Sequence, residues 1–82
     1  MTYLLICSDD TYYCGITNNL QKRMKAHNSG KGAKYTVGRV PVRVLTVRDG
    51  LTRFQAAKLE CAVKKVPKDR KVDVLKNGDV GF

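Results

Sequence analysis

The stretch Thr2-Tyr3-Leu4-Leu5-Ile6-Cys7-Ser8-Asp9-Asp10-Thr11-Tyr12-Tyr13-Cys14-Gly15-Ile16 decides the fold. Residues 2–7 and 11–16 are short runs rich in Tyr, Ile, Leu and Cys, side chains that suit a pleated, half-buried strand. Between them, Ser8-Asp9-Asp10 forms turns because short polar side chains bond back to their own backbone. The segment therefore predicts a β-hairpin. Loop length then sets which side chains share a face. A two-residue loop pairs Tyr3 with Ile16 and leaves Tyr3 and Tyr13 on opposite faces, whereas a three-residue loop or a bulge puts both tyrosines on one face. The turn composition leaves both registers open.

Downstream, Asn18 followed by Gln21 has the form of a capping box, and the segment through Leu20, Met24 and His27 to Gly30 predicts a helix over 18–29. At 100° per residue, Leu20 and Met24 mark the apolar side, and Arg23 and His27 fall beside them rather than toward water. A guanidinium and an imidazole turned toward a sheet need partners, either in the core or in a ligand at its edge. The loop Lys31-Gly32-Ala33-Lys34-Tyr35-Thr36-Val37-Gly38-Arg39 lacks the spacing of a nucleotide-binding P-loop and suits contact with phosphates. Residues 41–48 set Val42, Val44, Leu45 and Val47 between arginines and predict a third strand, closed by Asp49-Gly50. Thr52 and Gln55 make a second capping box, opening a helix that runs to about Val66, where Pro67 stops it. Its stripe Ala56, Leu59, Glu60, Val63 lies on one helix face, so Glu60, the only glutamate in the chain, faces or borders the core. Residues 68–76 predict a short third helix ended by Asn77-Gly78. The order is β-β-α-β-α-α.

With 82 residues the chain is one small domain, 1–82, too short for a large enzyme core. No apolar run approaches the roughly 18 residues of a membrane span. The N-terminus is apolar but has no basic flank and runs into Asp9-Asp10, which does not fit a signal peptide. The expectation is an intracellular protein, cytoplasmic or nucleoid-associated and not secreted. Cys7, Cys14 and Cys61 are odd in number and without C-x-x-C spacing, which excludes a disulfide framework and a cysteine zinc site and predicts buried thiols. A free Cys in an apolar strand is far more often a core residue than a nucleophile paired with the lone His27.

The net charge is +9, from 16 Lys and Arg against 7 acids, and it is unevenly placed. Residues 1–20 hold no Lys or Arg, whereas residues 21–53 hold nine basic residues against one acid, Asp49. A solvated basic surface would be the plain explanation of a modest excess; this density points to the phosphate backbone of a nucleic acid.

Taken together these parts resemble the GIY-YIG nuclease family, in particular its small stand-alone members, over nearly the whole chain. Met1-Thr2-Tyr3 stands at the first motif, keeping only its tyrosine, and Tyr13-Cys14-Gly15 with Ile16-Thr17 stands at the second, ten residues later. Leu20-Gln21-Lys22-Arg23 is the L-x-x-R element, and His27-Asn28-Ser29-Gly30-Lys31-Gly32-Ala33-Lys34-Tyr35-Thr36 is similar to H-N-x-G-x-G-A-K-Y-T. Gln55-Ala56-Ala57-Lys58-Leu59-Glu60 stands for E-A-x-x-x-E. The resemblance implies an α+β fold, a three-stranded antiparallel sheet flanked by helices. It implies a metal-dependent DNA endonuclease, acting in repair, recombination or mobile-element processing. By position Tyr3 helps deprotonate the attacking water and Tyr13 hydrogen-bonds water or phosphate, roles that can be exchanged. Arg23 holds the scissile phosphate, since a guanidinium matches paired phosphate oxygens. His27 orients the tyrosine or the phosphate, and Glu60 binds one Mg2+ or Mn2+. Lys31, Lys34 and Arg39 track the DNA backbone. One such site cutting a duplex needs two subunits, a homodimer, or two visits, and a partner protein can supply specificity.

Each residue also has a structural reading. A hairpin tyrosine is usually packing with a wet hydroxyl, the reading given to Tyr12 and Tyr35. His27 alone would be a histidine at the negative end of a helix, and Glu60 could form a buried pair with Arg23, at a desolvation cost. The rival function is a non-catalytic nucleic-acid-binding module. Glu60 separates the two, since a binding module gains nothing from an acid beside a phosphate unless a metal lies between them.

Overall fold

The computed structural model describes residues 1–32 and 34–78; Ala33, within the glycine and lysine loop, lies outside the described residues. The hairpin forms from β1 (Thr2–Ile6) and β2 (Tyr12–Ile16), paired antiparallel with Tyr3 opposite Gly15 and Leu5 opposite Tyr13. Cys7 N–H donates to Thr11 O at 2.8 Å and Asp10 N–H to Cys7 O at 3.0 Å, leaving Ser8, Asp9 and Asp10 as the loop. Asp10 closes it at φ 66°, a left-handed conformation that aspartate tolerates better than most residues. The longer of the two loop alternatives therefore holds, and Tyr3 and Tyr13 share a face.

β3 (Arg43–Arg48) pairs antiparallel with the other side of β1, giving the order β2-β1-β3. The most apolar strand is thus central and both its faces are covered. Thr46 lies opposite Leu4 and Val44 opposite Leu5, so Leu45 is the extra residue of a bulge on β3. The strand begins at Arg43 rather than Pro41. Val42 is held instead by the Asn28 side chain, whose Oδ1 accepts from Val42 N–H at 2.8 Å and whose Nδ2 donates to Val42 O at 3.3 Å.

One face of the sheet presents Tyr3 and Leu5, which pack with Cys7, Val42 and with Leu20 and Met24 of α1 (Leu20–Asn28). The other presents Leu4 and Cys14, which pack with Leu59 and Val63 of α2 (Arg53–Lys65) and Leu75 of α3 (Lys68–Asn77). Thr2 Oγ1 pins this face by donating to Ala56 O at 2.9 Å. Each fully buried Leu or Val contributes about 1.5–3 kcal/mol through removal from water.

The helix ends mostly match their sequence signals. α2 carries the complete Thr52–Gln55 capping box, and α3 ends at Gly78. α1 is capped by Asn19, not Asn18: the Thr17 hydroxyl accepts Asn19 N–H at 3.1 Å and turns Asn19 so that its Oδ1 accepts Lys22 N–H at 3.1 Å. Cys7 and Cys14 are buried as expected, but Cys61 is exposed, because the inward stripe of α2 runs through Leu59 and Val63 and leaves Cys61 on the far side. Among the described residues, no helix is long and apolar enough to cross a membrane.

Candidate active site

The site is built around one glycine and the phenol that lies over it. Tyr3, on the central strand, is 1% exposed, and its ring crosses the backbone of Gly15 on β2. A Cβ at Gly15 would stand 2.5 Å from Tyr3 Oη and 2.7 Å from Cζ, so the glycine of Tyr13-Cys14-Gly15 is required by close approach and not by its backbone angles. His27, wholly buried in the last turn of α1, places Nε2 3.0 Å from Tyr3 Oη and Nδ1 2.9 Å from Thr36 Oγ1. Gly32 packs on this histidine so closely that a Cβ there would run into Nδ1 and Cα.

Arg23 Nε donates to Tyr3 Oη at 3.4 Å. A guanidinium can only donate, so the phenol accepts from Arg23 and keeps its own proton for His27 Nε2. A neutral imidazole then carries its proton on Nδ1 and donates it to Thr36. Burial, helped by the Arg23 charge, lowers the His27 pKa and favours that neutral ring. Burial also raises the Tyr3 pKa, against the pull of Arg23, while bonding to Tyr3 keeps Arg23 firmly charged. The four groups form a chain, Arg23 to Tyr3 to His27 to Thr36.

Tyr13 flanks this chain half-buried, its ring 6.4 Å from Tyr3 and 5.4 Å from His27 in an edge-on arrangement. On its outer side it stacks with Tyr35 at 5.7 Å and 27°. Arg39 lies 4.2 Å over the Tyr35 ring and pairs with Asp9 at 3.3 Å. Lys31 and Lys34 are exposed on the same loop.

Glu60 comes from α2, on the other face of the sheet. Its side chain is 24% exposed and its carboxylate accepts from Lys64 Nζ at 3.2 Å. It borders the core and forms no pair with Arg23, whose partner is Tyr3. Its charge nevertheless reaches the sheet edge: burial first, then Glu60, push the Cys14 thiol up to about 12, which leaves that cysteine chemically inert. A crevice of about 460 Å3 wraps the β2 edge from Tyr13 and Tyr35 to Lys64, joining the two sides.

This is the neighbourhood that a family model matches: the GIY-YIG catalytic domain aligns with residues 1–73. The chain belongs to the GIY-YIG nuclease family. It is 47% identical over 77 residues to the UPF0213 protein YsiG of Lactococcus lactis, covering 93% of this chain and 74% of that protein. With the UPF0213 protein XAC3202 of Xanthomonas axonopodis it shares 44% identity over 70 residues, 85% of this chain and 69% of that one. Among solved structures, the solution NMR structure of the UPF0213 protein BH0048 from Bacillus halodurans is similar at a TM-score of 0.55 and 36% identity, covering 92% of this chain and 80% of that chain. The α+β architecture agrees with these relationships.

Within this GIY-YIG domain, Tyr3, Tyr13, Arg23 and His27 meet on one face, and Glu60 stands apart across the β2 edge. Among the described residues, no three His, Cys, Asp or Glu side chains converge as a metal cage. Glu60 offers one hard oxygen donor at a partly open edge, which fits a Mg2+ or Mn2+ ion that keeps most of its shell as water and phosphate. Sequence reasoning assigned no part to Thr36, Gly15 or Gly32. The signal for Thr36 was its place in the His27–Thr36 stretch, and for the glycines their position beside site residues. Tyr35, read as packing, is 43% exposed.

Proposed function

We propose that this GIY-YIG protein is a divalent-metal-dependent endonuclease that hydrolyses phosphodiester bonds in DNA. The observation that carries the reading is the chain Arg23–Tyr3–His27–Thr36, buried from Tyr3 inward, in which a phenol is wired to a neutral imidazole. As a purely structural device it would be wasteful, since an apolar core needs neither a buried histidine nor a part-buried guanidinium bonded to its phenol.

In this mechanism Arg23 leaves its long bond to Tyr3 and takes two oxygens of the scissile phosphate, for which a planar guanidinium is suited. Its departure uncovers the Tyr3 hydroxyl. The phenol then takes a proton from the attacking water while passing its own to His27 Nε2, which the Nδ1–Thr36 bond holds ready as acceptor; as the water oxygen bonds to phosphorus, the P–O bond to the leaving sugar oxygen breaks and that oxygen takes a proton from solvent. Tyr13, half-buried at the mouth, orients the water or the phosphate. Glu60 would hold the metal, which supplies charge neutralisation at the phosphoryl oxygens. Lys31 and Lys34 reach the backbone on either side; Arg39, already held by Asp9, adds positive field and braces Tyr35.

The test is incubation of the pure protein with end-labelled single-stranded, duplex, flap and branched DNA, with and without Mg2+ or Mn2+, beside Glu60→Gln. Metal-dependent cleavage by the wild type and none by a folded Glu60→Gln protein is the expected result. DNA binding with no cleavage under any metal condition would instead support the binding-module reading.

A further inference from the structure

Asp9 and Asp10 are the only acids before Asp49, and the hairpin loop sets one of them against the basic loop. Asp9 Oδ1 accepts from Thr11 N–H at 3.2 Å and from the Thr11 hydroxyl at 2.6 Å, so its own turn fixes the carboxylate. The same hydroxyl, above all, holds the Asp9 pKa below the ordinary carboxylate range and keeps the group charged. Oδ2 is left over, and it lies 3.3 Å from Arg39 Nε. The arginine is served less well. Its backbone is pinned, since its N–H donates to Thr36 O at 3.0 Å and its O accepts from Ser8 N–H at 2.9 Å. Its guanidinium is a fork of five donors, yet Nη1 is buried with no acceptor. Native structures keep few such donors, because each costs free energy that a ligand satisfying it returns. The side chain is 35% exposed, so rotation about its terminal bonds brings the guanidinium to solvent while the backbone stays in place.

We propose that Arg39 is a phosphate-binding residue held in reserve by Asp9: a phosphodiester of the bound nucleic acid draws the guanidinium off the carboxylate. The two non-bridging oxygens of a phosphodiester match the guanidinium fork and satisfy the donor that Asp9 leaves unmet. Nor is the exchange costly, because an ion pair whose side chains are 35% and 46% exposed is weak and screened by salt. Lys31 and Lys34, exposed on the same loop, bring the backbone within reach. Asp9 thus competes with substrate, and its charge sets how tightly the loop binds. If Asp9 were instead a brace that aims Arg39 for binding, its removal would act with the opposite sign. The proposal rests on the nuclease reading only for the partner, a nucleic acid, and not for hydrolysis.

Affinity is read by fluorescence anisotropy in EDTA, which removes the proposed metal, on labelled duplex and single-stranded DNA of unrelated sequences. Asp9→Asn keeps the acceptor that Thr11 uses and removes the charge, and it should tighten binding about two- to fivefold. Asp10→Asn takes the same charge from the same loop, and asparagine tolerates the positive φ there. Because the Asp10 carboxylate makes no ion pair among the described residues, this variant should tighten binding less. Arg39→Gln should weaken binding and lower the slope of log affinity against log salt by about 1. In that background the gain from Asp9→Asn should fall to that of Asp10→Asn. Equal gains from the two asparagine variants, a gain that survives Arg39→Gln, or weaker binding by Asp9→Asn each overturn the proposal. Wild type tests it without mutation: the Arg39 Nε–H signal in a 15N NMR spectrum shifts as DNA is added, and a signal that stays in place overturns it. A protein with this pattern that cuts nothing keeps the proposal and loses the nuclease reading. One that cuts DNA while its affinity ignores Asp9 and Arg39 does the reverse, and a wild type that binds no DNA overturns both.

Discussion

Replacing Gly15 by alanine puts a methyl group where the Tyr3 phenol lies. The new Cβ would stand 2.5 Å from Tyr3 Oη, 2.7 Å from Cζ and 3.2 Å from Tyr13 Cε2. Carbon contacts settle near about 3.5–4 Å, so the phenol must retreat by about 1 Å. It has little room to do so, being 1% exposed and packed with Leu5, Cys7 and Val42. Overpacking of this kind costs about 1–3 kcal/mol. For a domain of this size that lowers the melting temperature by about 4–24 °C. A retreat of 1 Å also takes the Tyr3–His27 bond, now 3.0 Å, out of hydrogen-bond range. Loss of that alignment lowers cleavage by about 100-fold. Thermal melts and single-turnover cleavage measure the two effects. Gly38→Ala is the control, since nothing lies within 4 Å of its Cβ position and only its φ of +81° opposes the change, at roughly 1–2 kcal/mol and with the site undisturbed. In a Tyr3→Leu background the stability cost of Gly15→Ala should shrink, because the two residues share one contact. A Gly15→Ala protein that melts and cleaves like wild type refutes the reasoning.

Glu60→Gln is expected to abolish metal-dependent cleavage while the melting temperature moves little, since the Lys64 pair it breaks is partly exposed and worth about 0.3–0.5 kcal/mol; DNA affinity in EDTA, read by anisotropy, stays within about twofold. His27 has a folded pKa below its ordinary 6.5, so its neutral form contributes stability that is fully present above about 6.5 and is lost as pH falls from there through the lowered folded value. Melts taken between pH 7.5 and about 5 should show this loss in wild type and a smaller one in His27→Gln. Lys31→Ala and Lys34→Ala should weaken binding by similar factors on unrelated sequences, each lowering the slope of log affinity against log salt by about 1. A base-specific effect would count against phosphate contact.

Much of the fold was legible because it depends on local signals. The Thr52–Gln55 box, the Pro67 stop and Gly78 each act within a turn of their own residue, and each stands where the sequence puts it. The one-residue shift of the α1 cap came from Thr17, a hydroxyl upstream of the box that competes for the same backbone donors. The hairpin register was not legible, because Asp10 tolerates a positive φ without requiring one. The inward turn of Arg23 and His27 followed from the helix wheel, but their partners did not. That Arg23 meets Tyr3 and not Glu60 depends on which side of the sheet each helix packs. The exposure of Tyr35 is likewise tertiary, set by the Tyr13 ring and Arg39 beneath it.

That side-of-sheet assignment carries a further consequence for how the site works. On the proposed reading, the group that would activate water and the group that would hold the metal sit on opposite faces, one under α1 and the other on α2. Two faces of a sheet can serve one phosphate only around an open edge, and the order β2-β1-β3 supplies it by leaving β2 on the outside. Were β2 central, a further strand would separate the Tyr13 side of the edge from the Lys64 side. On the proposed reading, the short strand, its glycine opposite Tyr3 and the edge beyond Cys14 are parts of one arrangement, with β2 the rim over which a substrate strand would lie. A peptide strand paired along that edge would block both halves at once without touching Arg23, Tyr3 or His27. Pinning the edge should accordingly inhibit cleavage while leaving the His27 titration unchanged, a combination that loss of the buried chain cannot produce.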